Sequence, residues 1–417
     1  MAPIPDAFDL VPLTRDRLPD VLELDMWAFP TGDSLEELLA VPSPLSWERT
    51  FGVVEADHPE HLVALHSSYP FTQCPVPGGR VRAAGLTWVG VHPQWRRRGL
   101  LSAMIDTHFA HCREWGEPVS LLTASEPAIY GRFGYGLATR RLHLTMKRGA
   151  DLRPVSGSED VSVRFETASL DRHGELVGRL HATVERPGWV TRESPELATM
   201  WLTDAPIFRQ GREVVRIAVA ERQGEPVGYA LFRRKSSWAE AGPEGTVGVQ
   251  ELVAADPAVS HALWSRLLDL DLMTEVTSGM LADDDPLLSL LVDLRAARVS
   301  VKDNVWVRII DLPEALAARQ YQAPVDLVLE VIDARLPHNA GRWRLTADAF
   351  GPARVERTDA DAGLVLDVRE LGSAYLGGTS LQQLAGAGLV TELHQGALRA
   401  ASVAFGWPVS PGSSWIF

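Results

Sequence analysis

The stretch Thr87-Trp88-Val89-Gly90-Val91-His92-Pro93-Gln94-Trp95-Arg96-Arg97-Arg98-Gly99-Leu100-Leu101 carries the residue types that a polyanion requires. An apolar strand runs into a short loop of arginines and a glycine, and that loop runs into an amphipathic helix. A loop feeding a helix N-terminus presents backbone N–H groups without intrahelical partners and the positive end of the macrodipole. Such a site suits a diphosphate. Gly99 lets the backbone approach phosphate oxygens with no Cβ in the way, and the arginines add charge-assisted donors. Taken alone, Arg-Arg-Arg-Gly reads first as a solvated surface turn. The strand before it and the helix after it are what the phosphate reading requires.

A second patch, Ser125-Glu126-Pro127-Ala128-Ile129-Tyr130-Gly131-Arg132-Phe133-Gly134-Tyr135-Gly136, follows a short apolar strand at Val119–Thr123. Ser125 is expected to cap a short helix with Pro127 in its first turn. A positioned phenol is an accepted general acid. Phe133 and Tyr135 read as core aromatics; Tyr130 is singled out for chemistry.

The elements that position these patches alternate between strand and helix over residues 1–150. Helices are expected at Asp20–Met26 and at Ser34–Ala40, where Ser34 and Glu37 have capping-box spacing. Strands are expected at Glu48–Glu55, His61–Ser67, Val81–Val91 and Arg141–Lys147. Leu100–Arg113 repeats apolar residues at helical spacing. A polar linker, Asp151–Asp160, leads to a second unit over 151–311. There Gly228–Arg234, Gly248–Ala254, Ala255-Asp256-Pro257 and a helix Ser260–Leu270 echo the first unit without its arginine loop. A third α+β unit, 312–417, is expected to hold strands at Val325–Asp333, Gly341–Ala347 and Ala362–Val368, and helices at Leu371–Leu376 and Ser380–Ala385.

Composition narrows the function classes. Asp plus Glu number 54 against 40 Lys plus Arg, a formal charge of -14, which opposes nucleic acid and anionic membrane as bulk partners. Two cysteines, Cys74 and Cys112, make no disulfide framework and no zinc pattern, so both read as small apolar fillers. No metal is called for. The start, Met-Ala-Pro-Ile-Pro-Asp, lacks the pattern of a signal peptide, and no apolar run approaches the ~20 residues of a spanning helix. A cytoplasmic location is expected. Asp283-Asp284-Asp285-Pro286 lacks the alternation of a calcium loop and reads as a solvated helix start.

The arginine loop resembles the acyl-CoA motif of the GNAT superfamily, Arg/Gln-x-x-Gly-x-Gly/Ala, with Arg96 and Gly99 in place and Leu101 departing from its last position. Together with the Tyr130 patch and the three-unit length, it is similar to the Eis-type (enhanced intracellular survival) multidomain N-acetyltransferases. That resemblance implies a catalytic GNAT domain, a degenerate GNAT-like domain and a sterol-carrier-protein-like domain. Acetyl-CoA would then contact Val89, Gly90, Val91, Arg97, Arg98, Gly99, Leu100, Leu101, Ser102, Ser125 and Glu126. Tyr130 would be the general acid, and the C-terminal carboxylate, here that of Phe417, the general base. An α-carboxyl is ionised at neutral pH, and Trp415-Ile416-Phe417 is apolar enough to be buried; a tail that merely packs between domains is the competing account.

Asp25, Trp27 and Phe29 fall in the segment that covers the acceptor pocket of GNAT folds, with Asp25 facing an ammonium and Trp88 lining the same space. His92 reads as a turn residue. The acceptor implied is a primary amine: an aminoglycoside, a polyamine or a protein lysine. A homohexamer is implied by resemblance alone. The rival class is a non-catalytic acyl-CoA or lipid-binding protein, which turnover of acetyl-CoA would separate.

Overall fold

The protein is described from a computed structural model over residues 4–417; Met1–Pro3, part of the stretch read for a leader, lie outside the described residues. β1 (Phe8–Pro12), β2 (Phe51–Glu55), β3 (His58–Val76) and β4 (Gly79–Val91) form an antiparallel meander. Between β1 and β2 lie α1 (Leu18–Ala28) and α2 (Leu35–Leu39), the latter closed by the expected Ser34–Glu37 capping box. α3 (Leu100–Glu114) follows the arginine loop and buries Leu100, Met104, Ile105, Phe109 and Cys112 on one stripe. Each such side chain is worth about 1.5–3 kcal/mol of transfer free energy, which fixes the face that α3 turns inward.

β5 (Val119–Thr123) lies parallel to β4, but the two pair only over Ala83–Gly85 and Val119–Leu121. Beyond Gly85 they diverge. α4 (Pro127–Tyr130) and β6 (Gly136–Leu137) complete the run. The cap expected of Ser125 is not made: Glu126 occupies the N-cap position and gives no side-chain hydrogen bond.

A second sheet has the order β15-β7-β14-β13-β10-β9-β8. Its strands are β7 (Arg140–Lys147), β8 (Ser162–Thr167), β9 (Arg216–Arg222), β10 (Glu225–Lys235), β13 (Gly245–Ala254), β14 (Met273–Leu281) and β15 (Arg298–Asp303); the small hairpin β11 (Trp238–Ala239) and β12 (Gly242–Pro243) stands apart. Helices α5 (Leu170–His181), α6 (Pro195–Leu202), α7 (Pro257–Leu268) and α8 (Pro286–Leu290) accompany it. β13 and β14 are parallel over Gly245–Val249 and then separate, repeating the β4–β5 geometry. β16 (Val305–Ile309) crosses back into the first sheet between β5 and β6.

The cuts expected at 150 and 311 therefore do not follow sheet membership. β7, expected with the first unit, pairs with β14 and β15, while β16 pairs with β5. Both strands satisfy their backbone groups in the neighbouring unit's sheet, a choice that local patterning does not encode.

The third unit places α9 (Leu312–Ala318) before a five-stranded sheet of β17 (Val325–Ile332), β18 (Gly341–Ala347), β19 (Ala353–Arg357), β20 (Leu364–Asp367) and β21 (Val390–Glu392). α10 (Val368–Ala374) packs on β16 and β6 at backbone contact. A Cβ on Gly136 would collide with the Arg369 carbonyl, and one on Gly372 with that of Val307. Arg308 on β16 is fully buried and bonds both carboxylate oxygens of Asp333 at 2.8 Å, tying the first sheet to the third unit.

The cores bury several neutral histidines. Burial holds His66 down at about 3 and His181 down at about 4, and drives His108 well below its usual value. A histidine depressed in the folded state contributes stability above its unfolded pKa near 6.5 that is lost as pH falls. Three such groups are expected to cost roughly 4 kcal/mol per pH unit between about pH 6 and pH 5. Urea midpoints at pH 7 and pH 5 measure this; equal midpoints would show that the three are already protonated in the folded chain.

Candidate active site

The divergence of β4 from β5 opens two cavities that share a wall. The first, about 600 Å³, is lined by Val89, Gly90, Val91, Arg96, Arg97, Gly99, Leu100, Leu101, Ser102, Ser125, Glu126 and Tyr130. Gly99 is the N-cap of α3 at φ 86°, a left-handed conformation natural to glycine. Arg97 adopts φ 63° and Trp88 φ 52°, both unusual for side-chain-bearing residues. Trp88 sits where β4 slips register against β3, between Leu65 and Ser67. Strained backbone thus brackets the strand segment 89–91, and strain of this kind gathers at functional sites.

A second cavity, about 440 Å³, lies on the other side of Tyr130. Leu18, Leu22, Asp25 and Phe29 face it from α1 and its end, Trp88 from β4, Met200, Ile207 and Phe208 from the second unit, and Ile416 and Phe417 from the tail. Phe29, Val89, Ser125 and Tyr130 line both cavities. Burial pushes the Asp25 carboxyl up to about 6. The Tyr130 phenol is pushed up to about 12, by burial first and then by the Glu126 carboxylate, so it keeps its proton throughout the neutral range.

The terminal carboxylate stands in the wall of this second cavity. The Phe417 amide donates to the Thr123 hydroxyl at 3.0 Å, and that hydroxyl donates in turn to a terminal oxygen of Phe417. The Phe417 ring meets Phe71 edge-on at 5.1 Å between centroids and leans on Trp415 at 5.3 Å. Trp88 Nε1 donates to the Tyr69 hydroxyl at 3.2 Å, steadying the indole beside them.

Two residues expected here lie elsewhere. Arg98 is absent from the lining of either cavity; its guanidinium lies 4.4 Å over the Trp95 ring, and Arg96 lines the first cavity in its place. Trp27 is 57% exposed and meets His92 edge-on at 5.0 Å between centroids, because it falls two residues beyond Asp25 on α1 and so points to another face. His92 is the turn residue expected, accepting from the Gln94 amide. Phe133 and Tyr135 are buried core aromatics, and Cys74 and Cys112 are buried thiols.

Thr123 and Arg335 escaped the sequence reading. Arg335 reaches from the third unit into the first cavity, bonding Asp106 at 2.7 Å and the Ser102 carbonyl at 3.0 Å. Its own amide is anchored on Asp333. Nothing local marks it, since its partners on α3 are more than 200 residues away in sequence. Thr123 was legible as the last residue of the strand before Ser125, though its partner was not.

Residues 9–138 match the family described as Acetyltransferase (GNAT) domain, residues 188–309 match a second family of the same description, and residues 312–413 match Sterol carrier protein domain. An uncharacterized N-acetyltransferase of Streptomyces coelicolor is 41% identical over 408 residues, 94% of this chain and 98% of its own. N-acetyltransferase Eis of Mycobacterium tuberculosis is 36% identical over 345 residues, 79% of this chain and 80% of its own. The chain belongs to the Eis-type GNAT N-acetyltransferases. The crystal structure of Eis1 from Mycobacterium abscessus superposes with a TM-score of 0.82 at 31% identity, covering 98% of this chain and all of that one.

This Eis-type chain is accordingly an acetyl-CoA-dependent N-acetyltransferase, two GNAT domains followed by a sterol-carrier-protein-like domain. In its second GNAT domain the helix N-terminus equivalent to Gly99 is closed from within. Asp256 caps α7, accepting from the Val259 amide at 3.0 Å, and pairs with Arg222 at 2.7 Å. A carboxylate thus occupies the place that a phosphate would need. Among the described residues, His58, Glu60 and His61 gather potential metal ligands at the exposed start of β3, and none of them lines either cavity. No helix among the described residues is long and apolar enough to cross a membrane.

Proposed function

We propose that this enzyme moves the acetyl group of acetyl-CoA onto a primary amine of a cationic acceptor, an aminoglycoside, a polyamine or a lysine side chain, by direct attack. The observation that carries the reading is the meeting of the two cavities at Tyr130, with the Phe417 carboxylate in the wall of the second. Acetyl-CoA supplies the activated thioester. The loop from Arg96 to Leu101 and the first turn of α3 hold its pyrophosphate, with Arg335 adding a cation from the third domain. Backbone groups of Val89–Val91, unpaired with β5 beyond Gly85, bind the pantetheine amides. Asp25 attracts the acceptor's ammonium.

An alkylammonium, with a pKa near 10.4, must shed a proton to attack. That first proton leaves to solvent; the Phe417 carboxylate takes the second, which nitrogen releases as the N–C bond forms and nitrogen becomes acidic. Tyr130 donates its proton to sulfur as the C–S bond breaks. Both transfers need positioned groups, and apolar walls around them keep water from competing.

CoA release measured across polyamines, aminoglycosides and lysine peptides tests the assignment. Turnover on free polycationic amines supports it. Turnover on lysine peptides alone would narrow the acceptor to protein, and tight acetyl-CoA binding without turnover on any amine would return the chain to the binding-protein class. The homohexamer and the cytoplasmic location implied by resemblance belong to the same reading; light scattering and cell fractionation test them.

Asp25→Asn separates stability from function. A carboxyl raised to about 6 destabilises the fold increasingly as pH climbs from about 4 to 6, and fully above that. The neutral amide is expected to gain about 1–3 kcal/mol at pH 7.5, seen as a higher melting temperature. The KM for a polycationic amine is expected to rise about tenfold, with acetyl-CoA affinity unchanged. An unchanged amine KM would remove Asp25 from the acceptor site.

A further inference from the structure

The second GNAT domain carries no arginine loop between β13 and α7, yet it holds the segment that ends at the second cavity. From Ser410 to Trp415 the tail is bonded chiefly by residues of that domain. The Ser410 amide donates to Asp284 at 2.8 Å, and Arg186 bonds the Ser410 carbonyl. The Gly412 amide donates to the Pro187 carbonyl at 2.9 Å, and Asn304 Nδ2 to the Ser413 carbonyl at 3.1 Å. Trp415 Nε1 donates to the Val190 carbonyl at 2.8 Å.

At the centre of these bonds sits Glu251 on β13, a carboxylate with 0% side-chain exposure. It accepts from Arg192 at 2.6 Å, from the Tyr229 hydroxyl at 2.5 Å and from the Ser414 hydroxyl at 2.7 Å. His181 Nε2 lies 2.9 Å from the Ser414 oxygen, which accepts a hydrogen bond from it while donating to Glu251. Arg192 also spreads over Trp201 and Trp415, with centroids 3.6 and 5.4 Å away. Burial alone would raise the Glu251 carboxyl, but Arg192 and His181 hold it below the usual carboxylate range, so it is ionised.

The place of this cluster is informative. β13 and β14 pair through Val249 and then part, and Glu251 lies just past the parting. The cleft opened there is about 270 Å³, and Gly412, Ser413 and Ser414 line it beside Glu251, Asn304 and Ser278. In the first domain the same divergence makes the acetyl-CoA cavity; in the second it receives the chain's own tail. A buried ion pair gives little stability over well-packed apolar residues, and its better-attested use is to specify one arrangement. Here the arrangement specified is that of a segment whose last carboxylate stands three residues further on.

We infer that Glu251, with Arg192, Tyr229 and His181, is a positioning device that locks Ser414 and thereby sets where the Phe417 carboxylate stands in the acceptor cavity. The inference rests on Phe417 acting as the base. Glu251 touches no reacting atom; it acts through the tail.

Steady-state kinetics of the full-length enzyme test it, with Ser414→Ala, Ser414→Thr, Glu251→Gln and a chain lacking Phe417. Ser414→Ala removes the link while leaving Glu251 paired with Arg192 and Tyr229, so it decides the matter even where Glu251→Gln fails to fold. The expected result is a kcat about tenfold lower for Ser414→Ala, with the KM for acetyl-CoA within about twofold. Ser414→Thr, which keeps the hydroxyl, is expected to recover most of that loss. Combined with loss of Phe417, Ser414→Ala should cost nothing more, since both act through one group. A kcat that collapses without Phe417 but stays at the wild-type value in Ser414→Ala would overturn the positioning role and leave the base intact. Unchanged kcat without Phe417 would overturn the base, and this inference with it.

Discussion

Removing Phe417 is expected to lower kcat by about 10²- to 10⁴-fold, the usual worth of a positioned base, while acetyl-CoA binds as before. The chain would then end at Ile416, which is 58% exposed and lines the second cavity. Its carboxylate would lack the paired bonds to Thr123, and the slot between Phe71 and Trp415 would empty. Loss of a buried phenyl costs about 1.5–3 kcal/mol of local packing, so a stability loss accompanies the kinetic one. Phe417→Leu separates the two effects. It keeps a carboxylate at the same chain position and most of the apolar burial, and is expected to retain kcat within about tenfold of wild type. Equal damage from both variants, read from kcat and melting temperature together, would mean that the ring packing rather than the carboxylate matters.

Tyr130→Phe is expected to lower kcat by about 10²- to 10³-fold with both KM values little changed. The substitution deletes one oxygen and leaves the edge-on contact with Tyr135, 5.9 Å between centroids, in place. Binding on either side of the ring should therefore survive. A phenol at about 12 is fully protonated at pH 7, so the acidic limb of the kcat profile should not move. A rise in acetyl-CoA KM with kcat preserved would recast Tyr130 as a binding wall shared by the two cavities.

Much of the first cavity's lining was legible because it is continuous in sequence. Strand, loop and helix from Val89 to Ser102 lie in one run, and the requirements of a phosphate site are local: a helix start, a glycine at positive φ, nearby cations. The same locality exposed Tyr130 after the next strand. Where the reading went astray, the cause was direction rather than position. The left-handed turn at Arg97 hands the cavity to Arg96 and sends Arg98 over Trp95. On α1 the lining residues Leu18, Leu22, Asp25 and Phe29 follow a four-three-four spacing, which the helical period allowed and Trp27 does not share.

By itself the sequence determined the number of units, most of their elements, the loop-to-helix turn at Gly99 and the family. Periodicity, caps and short motifs are written in neighbouring residues. Tertiary structure alone decided which sheet receives β7 and β16, since a strand's pattern states that one face is buried and not against which partner. It alone joined Thr123 to Phe417 across 294 residues, brought Arg335 from the third domain to α3, and set Glu251 under the tail. Those contacts arise from packing three cores against one another. Closing such long loops costs only the logarithm of their length, so surface complementarity, which no local pattern records, selects among them.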